Sequence, residues 1–108
     1  MNADEINEML RQFVLKNIDS AEILEVLLHL RQHKGSWLKA DEVARELRVN
    51  PRSVSDRLNR LMHLGLIQTN SDAEFSFSPD SKQAAMVDAL AVEFRTKKHS
   101  ILDLIFRR

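Results

Sequence analysis

The segment from Asn50 to Gly65 constrains this chain more than any other. Asn50 is suited to cap a helix, and Pro51 behind it suits the first helical position, where no backbone donor is needed. Val54, Leu58, Leu61 and Met62 then recur at helical spacing. Gly65 supplies the left-handed residue on which helices end. A helix over 51–64 is therefore bounded on both sides. Immediately after it the period changes from helical to alternating. Leu66-Ile67-Gln68-Thr69 and Glu74-Phe75-Ser76-Phe77 flank the turn-forming Asn70-Ser71-Asp72-Ala73, which predicts a hairpin.

The remaining elements follow from the same signals. A first helix is expected over 2–18, with Asn2 and Glu5 at capping-box spacing and Ile6, Met9, Leu10, Phe13 and Val14 in one stripe. A second starts at Asp19 or Ser20, with Asp19 and Glu22 again spaced as a capping box. Its Ile23, Leu24, Leu27, Leu28 and Leu30 predict burial over a wide arc, and it stops at Lys34-Gly35. Ser36-Trp37-Leu38 suits one short strand, with Trp37 as a core anchor. A third helix follows from Ala40 to about Arg48, with Val43, Ala44 and Leu47 inward. Phe75 and Phe77 are expected to cover the core under the hairpin. A last helix is expected over about 81–106, where Val87, Leu90, Phe94, Ile101 and Leu104 form a heptad pattern interrupted at Lys97. The fold class is thus mainly α with a small β-hairpin.

Composition removes several function classes. The 108 residues hold no Cys and two Gly, so thiol nucleophiles, Cys-ligated zinc and glycine-rich phosphate loops are not expected. No apolar run reaches the roughly 18 residues of a membrane span, and the N-terminus lacks a signal-peptide pattern. A single domain in the cytoplasm, not at a membrane, is the expectation. Glu25, His29 and His33 lie at four-residue steps on one helix face, a spacing that a metal can use. No further ligand cluster accompanies them, and a solvated polar stripe is the simpler account. No metal and no cofactor are expected. The serines sit at caps, turns and helix faces without a nucleophile motif, so the chain is not read as an enzyme.

The order helix, short strand, helix, tight turn, helix, hairpin is that of a winged helix-turn-helix. Glu42-Val43-Ala44-Arg45-Glu46-Leu47-Arg48-Val49 looks like the first helix of the motif, where small Ala44 lets the next helix approach. Asn50-Pro51-Arg52-Ser53-Val54-Ser55-Asp56-Arg57-Leu58-Asn59-Arg60-Leu61 resembles the recognition helix of bacterial MarR-like and ArsR-like transcription regulators. Leu64-Gly65-Leu66-Ile67 is similar to their helix-to-wing junction. The resemblance implies a regulator that reads double-stranded DNA with helix 51–64 in the major groove. Two positions depart from the pattern. Lys39 stands where Ser or Thr often caps the first motif helix. The wing turn, Asn70 to Glu74, carries two acids and no base.

With Val54, Leu58 and Leu61 turned inward, the helix presents Arg52, Ser53, Ser55 and Asn59 as candidates for base edges. Arg57 and Arg60 are candidates for phosphate or groove-edge contacts, which position without specifying sequence. An alternative for these arginines is a solvated face with intrahelical partners, such as Asp56 with Arg60. The overall charge is zero, from 16 bases and 16 acids, but the signs are segregated. Segments 39–65 and 81–108 carry excesses of +2 and +3, against −2 over 1–19 and −3 over 66–80. Zero net charge therefore does not exclude DNA.

The chain divides into an N-terminal helix at 1–19, a winged helix-turn-helix at 20–79 and a C-terminal helix at 80–108. Both terminal helices are read as surfaces for a homodimer, since two half-sites call for matched symmetry. Packing within one chain is the alternative for them. The alternative for function is a winged-helix module that binds a protein partner without DNA. The acidic wing, Lys39 and the neutral total motivate it.

Overall fold

The computed structural model describes residues 7–107. Six helices and a three-stranded antiparallel sheet follow in the order α1 (Glu8–Asn17), α2 (Ala21–Gln32), β1 (Leu38–Lys39), α3 (Ala40–Leu47), α4 (Pro51–His63), β2 (Ile67–Thr69), β3 (Glu74–Phe77), α5 (Ser81–Thr96) and α6 (Lys98–Phe106). Each boundary has a local cause. Asn7 Oδ1 accepts from the Met9 N–H at 2.8 Å and starts α1. The expected cap at Asn2, with Glu5 and Ile6, lies outside the described residues. Of the two candidate caps for α2 it is Ser20 that acts, accepting from the Ile23 N–H at 3.2 Å. At α4, Asn50 Oδ1 accepts from the Arg52 N–H at 2.8 Å and the Ser53 N–H at 3.4 Å, with Pro51 behind it. Gly35 and Gly65 both have positive φ, at 91° and 76°.

The α3 cap is atypical. Lys39 offers no side-chain acceptor, and instead the Glu42 carboxylate receives the Lys39 N–H at 3.0 Å. Half of a capping box thus replaces the missing hydroxyl. At its other end α3 stops because Arg48 adopts φ 58° and ψ 45°, the left-handed conformation that a glycine usually takes.

The sheet order is β1-β3-β2, with Leu38 opposite Phe75 and Ile67 opposite Phe77. The first strand is 38–39 rather than 36–38, and this overturns the expected role of Trp37. Successive strand residues face opposite sides. Leu38 turns to the core, so Trp37 turns out and is 42% exposed. Phe77 is buried and Phe75 half-buried against the core, as their spacing predicts.

One apolar cluster joins all the helices. It runs from Leu10, Phe13 and Val14 through Ile23, Leu24 and Leu27 to Val43, Ala44, Val54, Leu58 and Leu61, and on to Val87, Leu90, Ile101 and Ile105. The single long C-terminal helix expected from the heptad pattern does not form. Lys97 departs from helical geometry, with φ −129° and ψ 47°, and separates α5 from α6. The turn keeps two α-type hydrogen bonds, from the Lys97 N–H to the Glu93 carbonyl and from the Ile101 N–H to the Lys97 carbonyl. The break therefore does not give up every hydrogen bond of the turn. It allows α6 to pack on both α1 and α5, burying Ile101 and Ile105. Burial of two such side chains contributes about 1.5–3 kcal/mol each, which outweighs the interrupted helical turn.

Candidate nucleic-acid interface

Helix α4 packs its inner side on α2 and α3 and leaves the other side open. Val54, Leu58 and Leu61 are fully buried, while Arg52, Asp56, Asn59, Arg60 and His63 are exposed. Three of the six expected contact residues, Arg52, Asn59 and Arg60, therefore share the outer face. Ser53, Ser55 and Arg57 are half-buried. Asp56 and Arg60 do not form the intrahelical ion pair that the four-residue spacing allows. Among the described residues, neither Arg52 nor Arg60 has a carboxylate partner. Two guanidinium groups and an amide thus stand together in solvent without internal neutralisation. Such groups can fork onto guanine, adenine or phosphate.

The inward flank of α4 is different. Ser53 Oγ donates to Glu22 Oε1, and Arg57 Nε donates to the same oxygen at 3.4 Å. Glu22 lies in the first turn of α2, more than thirty residues away in sequence. Its spacing from Asp19 suggested a capping box. The carboxylate instead crosses to α4, and no local pattern announces a partner at that separation.

The wing is short and internally tied. Ser71, Asp72 and Ala73 form a three-residue loop, closed by the Asn70 N–H donating to the Glu74 carbonyl at 3.1 Å. Asn70 Oδ1 accepts from the Asp72 and Glu74 N–H groups, each at 3.0 Å, and Asn70 Nδ2 donates to Glu74 Oε1 at 3.0 Å. Ala73 takes the left-handed position of the loop, φ 57°, where glycine is usual. Glu74 is thereby held within the turn, and Asp72 is the exposed charge at the tip.

His29 and His33 stack with ring centroids 4.6 Å apart at a tilt of 53°. Burial, and then the neighbouring His33, holds the His29 imidazole below the ordinary histidine value, with Glu46 partly opposing. No group of three or more metal-ligating side chains occurs among the described residues. No described helix is long and apolar enough to cross a membrane. The terminal helices leave Met9, Val92 and Phe106 exposed, at 64%, 50% and 71%.

A helix presented by a tight turn, followed by a hairpin on a small three-stranded sheet, defines the winged helix-turn-helix class. Residues 15–93 match the profile of the winged helix-turn-helix transcription repressor family, HrcA DNA-binding, and the chain belongs to that family. The match begins within α1 and ends within α5, so it contains the whole sheet, α3 and α4. Among solved structures, the chain is similar to a mutant of S. aureus MepR bound to an oligodeoxyribonucleotide. The TM-score is 0.61 at 17% identity, covering 89% of this chain and 72% of that one. This likeness establishes the fold. No curated protein sequence matches the chain. The family is one of transcription repressors rather than enzymes.

Proposed function

We propose that this chain is a transcription regulator that binds duplex DNA by inserting α4 into the major groove. The observation that carries it is the outer face of α4, where Arg52, Asn59 and Arg60 are exposed without carboxylate partners on the helix that the fold uses for recognition. Arg52, Ser53, Ser55 and Asn59 are the candidates for base edges, and Arg57 and Arg60 for phosphates. The MepR likeness supports the fold of a MarR-like regulator. Working in the cytoplasm as a homodimer would supply the two-fold symmetry that paired half-sites need. In that arrangement residues 20–79 read DNA. Segments 1–19 and 80–108 carry the pairing through the apolar side chains they leave exposed, Met9, Val92 and Phe106.

The test is fluorescence anisotropy of labelled duplexes across a salt series. Binding should be salt-sensitive, because each neutralised phosphate releases counterions. Arg52→Ala and Asn59→Ala should relax sequence preference at about 1–3 kcal/mol each, while Arg60→Ala should weaken all sequences alike. No binding to any duplex at low salt would overturn the proposal. A second reading is favoured by one observation, the wing tip with exposed Asp72 and no base. A winged-helix module for a protein partner would show a stoichiometric complex and no retention on DNA.

A further inference from the structure

We infer that Glu22 is a positioning residue for DNA contact, holding Arg57 and Ser53 of α4 in the orientation in which they meet the duplex. The inference rests on the proposed DNA binding. A carboxylate beside the recognition helix is costly on electrostatic grounds alone, since it repels the phosphates that the helix approaches. As a stabilising ion pair it contributes little, because both partners are partly exposed, at 34% and 25% of the side chain. What the geometry does supply is orientation. One oxygen of Glu22 takes the Arg57 Nε–H at 3.4 Å and the only proton of the Ser53 hydroxyl.

Two consequences follow from donor counting. With Nε engaged, Arg57 retains its two terminal amino groups, a fork that matches a phosphate end-on. With its proton given to Glu22, Ser53 can only accept from DNA, which suits the exocyclic amino groups of cytosine and adenine. Ser53 and Arg57 are four residues apart, so both lie on the flank of α4 that faces α2. Arg52, Asn59 and Arg60 lie on the outer face and form no hydrogen bond or ion pair with Glu22. Glu22 thus holds two of the six candidate residues, Ser53 and Arg57, and leaves the exposed Arg52, Asn59 and Arg60 free.

The experiment is a mutant cycle on the full chain, read by duplex anisotropy at one low salt concentration, with thermal melts confirming folding. Glu22→Ala should weaken binding about five- to tenfold even though it removes a negative charge, as expected for loss of an oriented charge-assisted contact. Glu22→Gln keeps an acceptor oxygen and should stay within about twofold of wild type. In an Arg57→Ala, Ser53→Ala background, Glu22→Ala should no longer weaken binding, and should tighten it slightly because only its repulsion of phosphate is left to remove. Arg57→Lys keeps the charge but has no Nε to hold, and should lose as much as Glu22→Ala. It decides the matter if Glu22→Ala fails to fold. Equal or tighter binding by Glu22→Ala, or wild-type binding by Arg57→Lys, overturns the inference while leaving DNA binding intact. A wild-type chain that binds no duplex overturns both.

Discussion

Ile101 decides whether the C-terminal segment belongs to its own chain. The side chain is fully buried, and α6 packs on α1 and α5 of the same chain. Ile101→Ala removes three carbons, or about 2.4 kcal/mol of transfer free energy at about 0.8 kcal/mol each. A cavity closed in by three helices relaxes only partly, which raises the expected loss to about 3–4 kcal/mol. In a domain of this size each kcal/mol lowers the midpoint by roughly 4 °C or more, so Tm should fall by about 12–16 °C. Phe106, at 71% exposure, is the control, and Phe106→Ala should change stability by less than about 0.5 kcal/mol in dilute protein. The assay is thermal and urea unfolding followed by circular dichroism over a hundredfold range of protein concentration. The Ile101→Ala deficit should be the same at every concentration. A deficit below about 1 kcal/mol in dilute protein, growing as concentration rises, would refute intrachain packing. It would mean that a second copy buries Ile101.

Other substitutions test single physical claims. Arg48→Gly should stabilise by about 0.5–1 kcal/mol in urea titrations. The left-handed conformation costs an L-residue about 1–2 kcal/mol, and glycine returns part of that as backbone entropy. Asn50→Ala removes the acceptor of two N–H groups at the start of α4 and should cost about 1 kcal/mol, seen as a lower urea midpoint. The lowered His29 pKa means that the unfolded chain takes up the proton more readily than the folded one. Stability should therefore be full above the ordinary histidine value of 6.5 and decline as pH falls through it. Urea midpoints at pH 7.5 and 5.5 should show a drop that is smaller in His29→Gln. An equal drop in both would remove His29 as its cause.

Much of the winged helix is legible because its signals are local. Asn50 and Pro51 start α4 and Gly65 ends it, each through the backbone conformation it favours within a residue or two. Val54, Leu58 and Leu61 show their burial by spacing alone. The alternation of Phe75 and Phe77 likewise marks a strand of the hairpin, and only the pairing with β1 makes it the central one. Trp37 was misleading because its side depends on where β1 begins, and a slip of one residue reverses every side chain in a strand. Glu22 was misleading because a capping-box spacing is a local signal and its actual partners are on another helix. Lys97 marked the fault in the heptad pattern. Whether that fault meant an imperfect seam or a broken helix depended on what Ile101 and Ile105 could reach.

The sequence by itself determined the order of the elements within the winged helix, the ends of α4, and the inward set of that helix. These depend on hydrogen bonds and periodicity within about four residues, which the order of residues states directly. Only the tertiary structure decided that the C-terminal segment folds back on α1, that Trp37 faces solvent, and that Glu22 holds Ser53 and Arg57. Each of those turns on contacts between distant segments, where burying Ile101 or bringing a carboxylate against another helix competes with local preference. That competition is settled by the packed core and not by spacing along the chain.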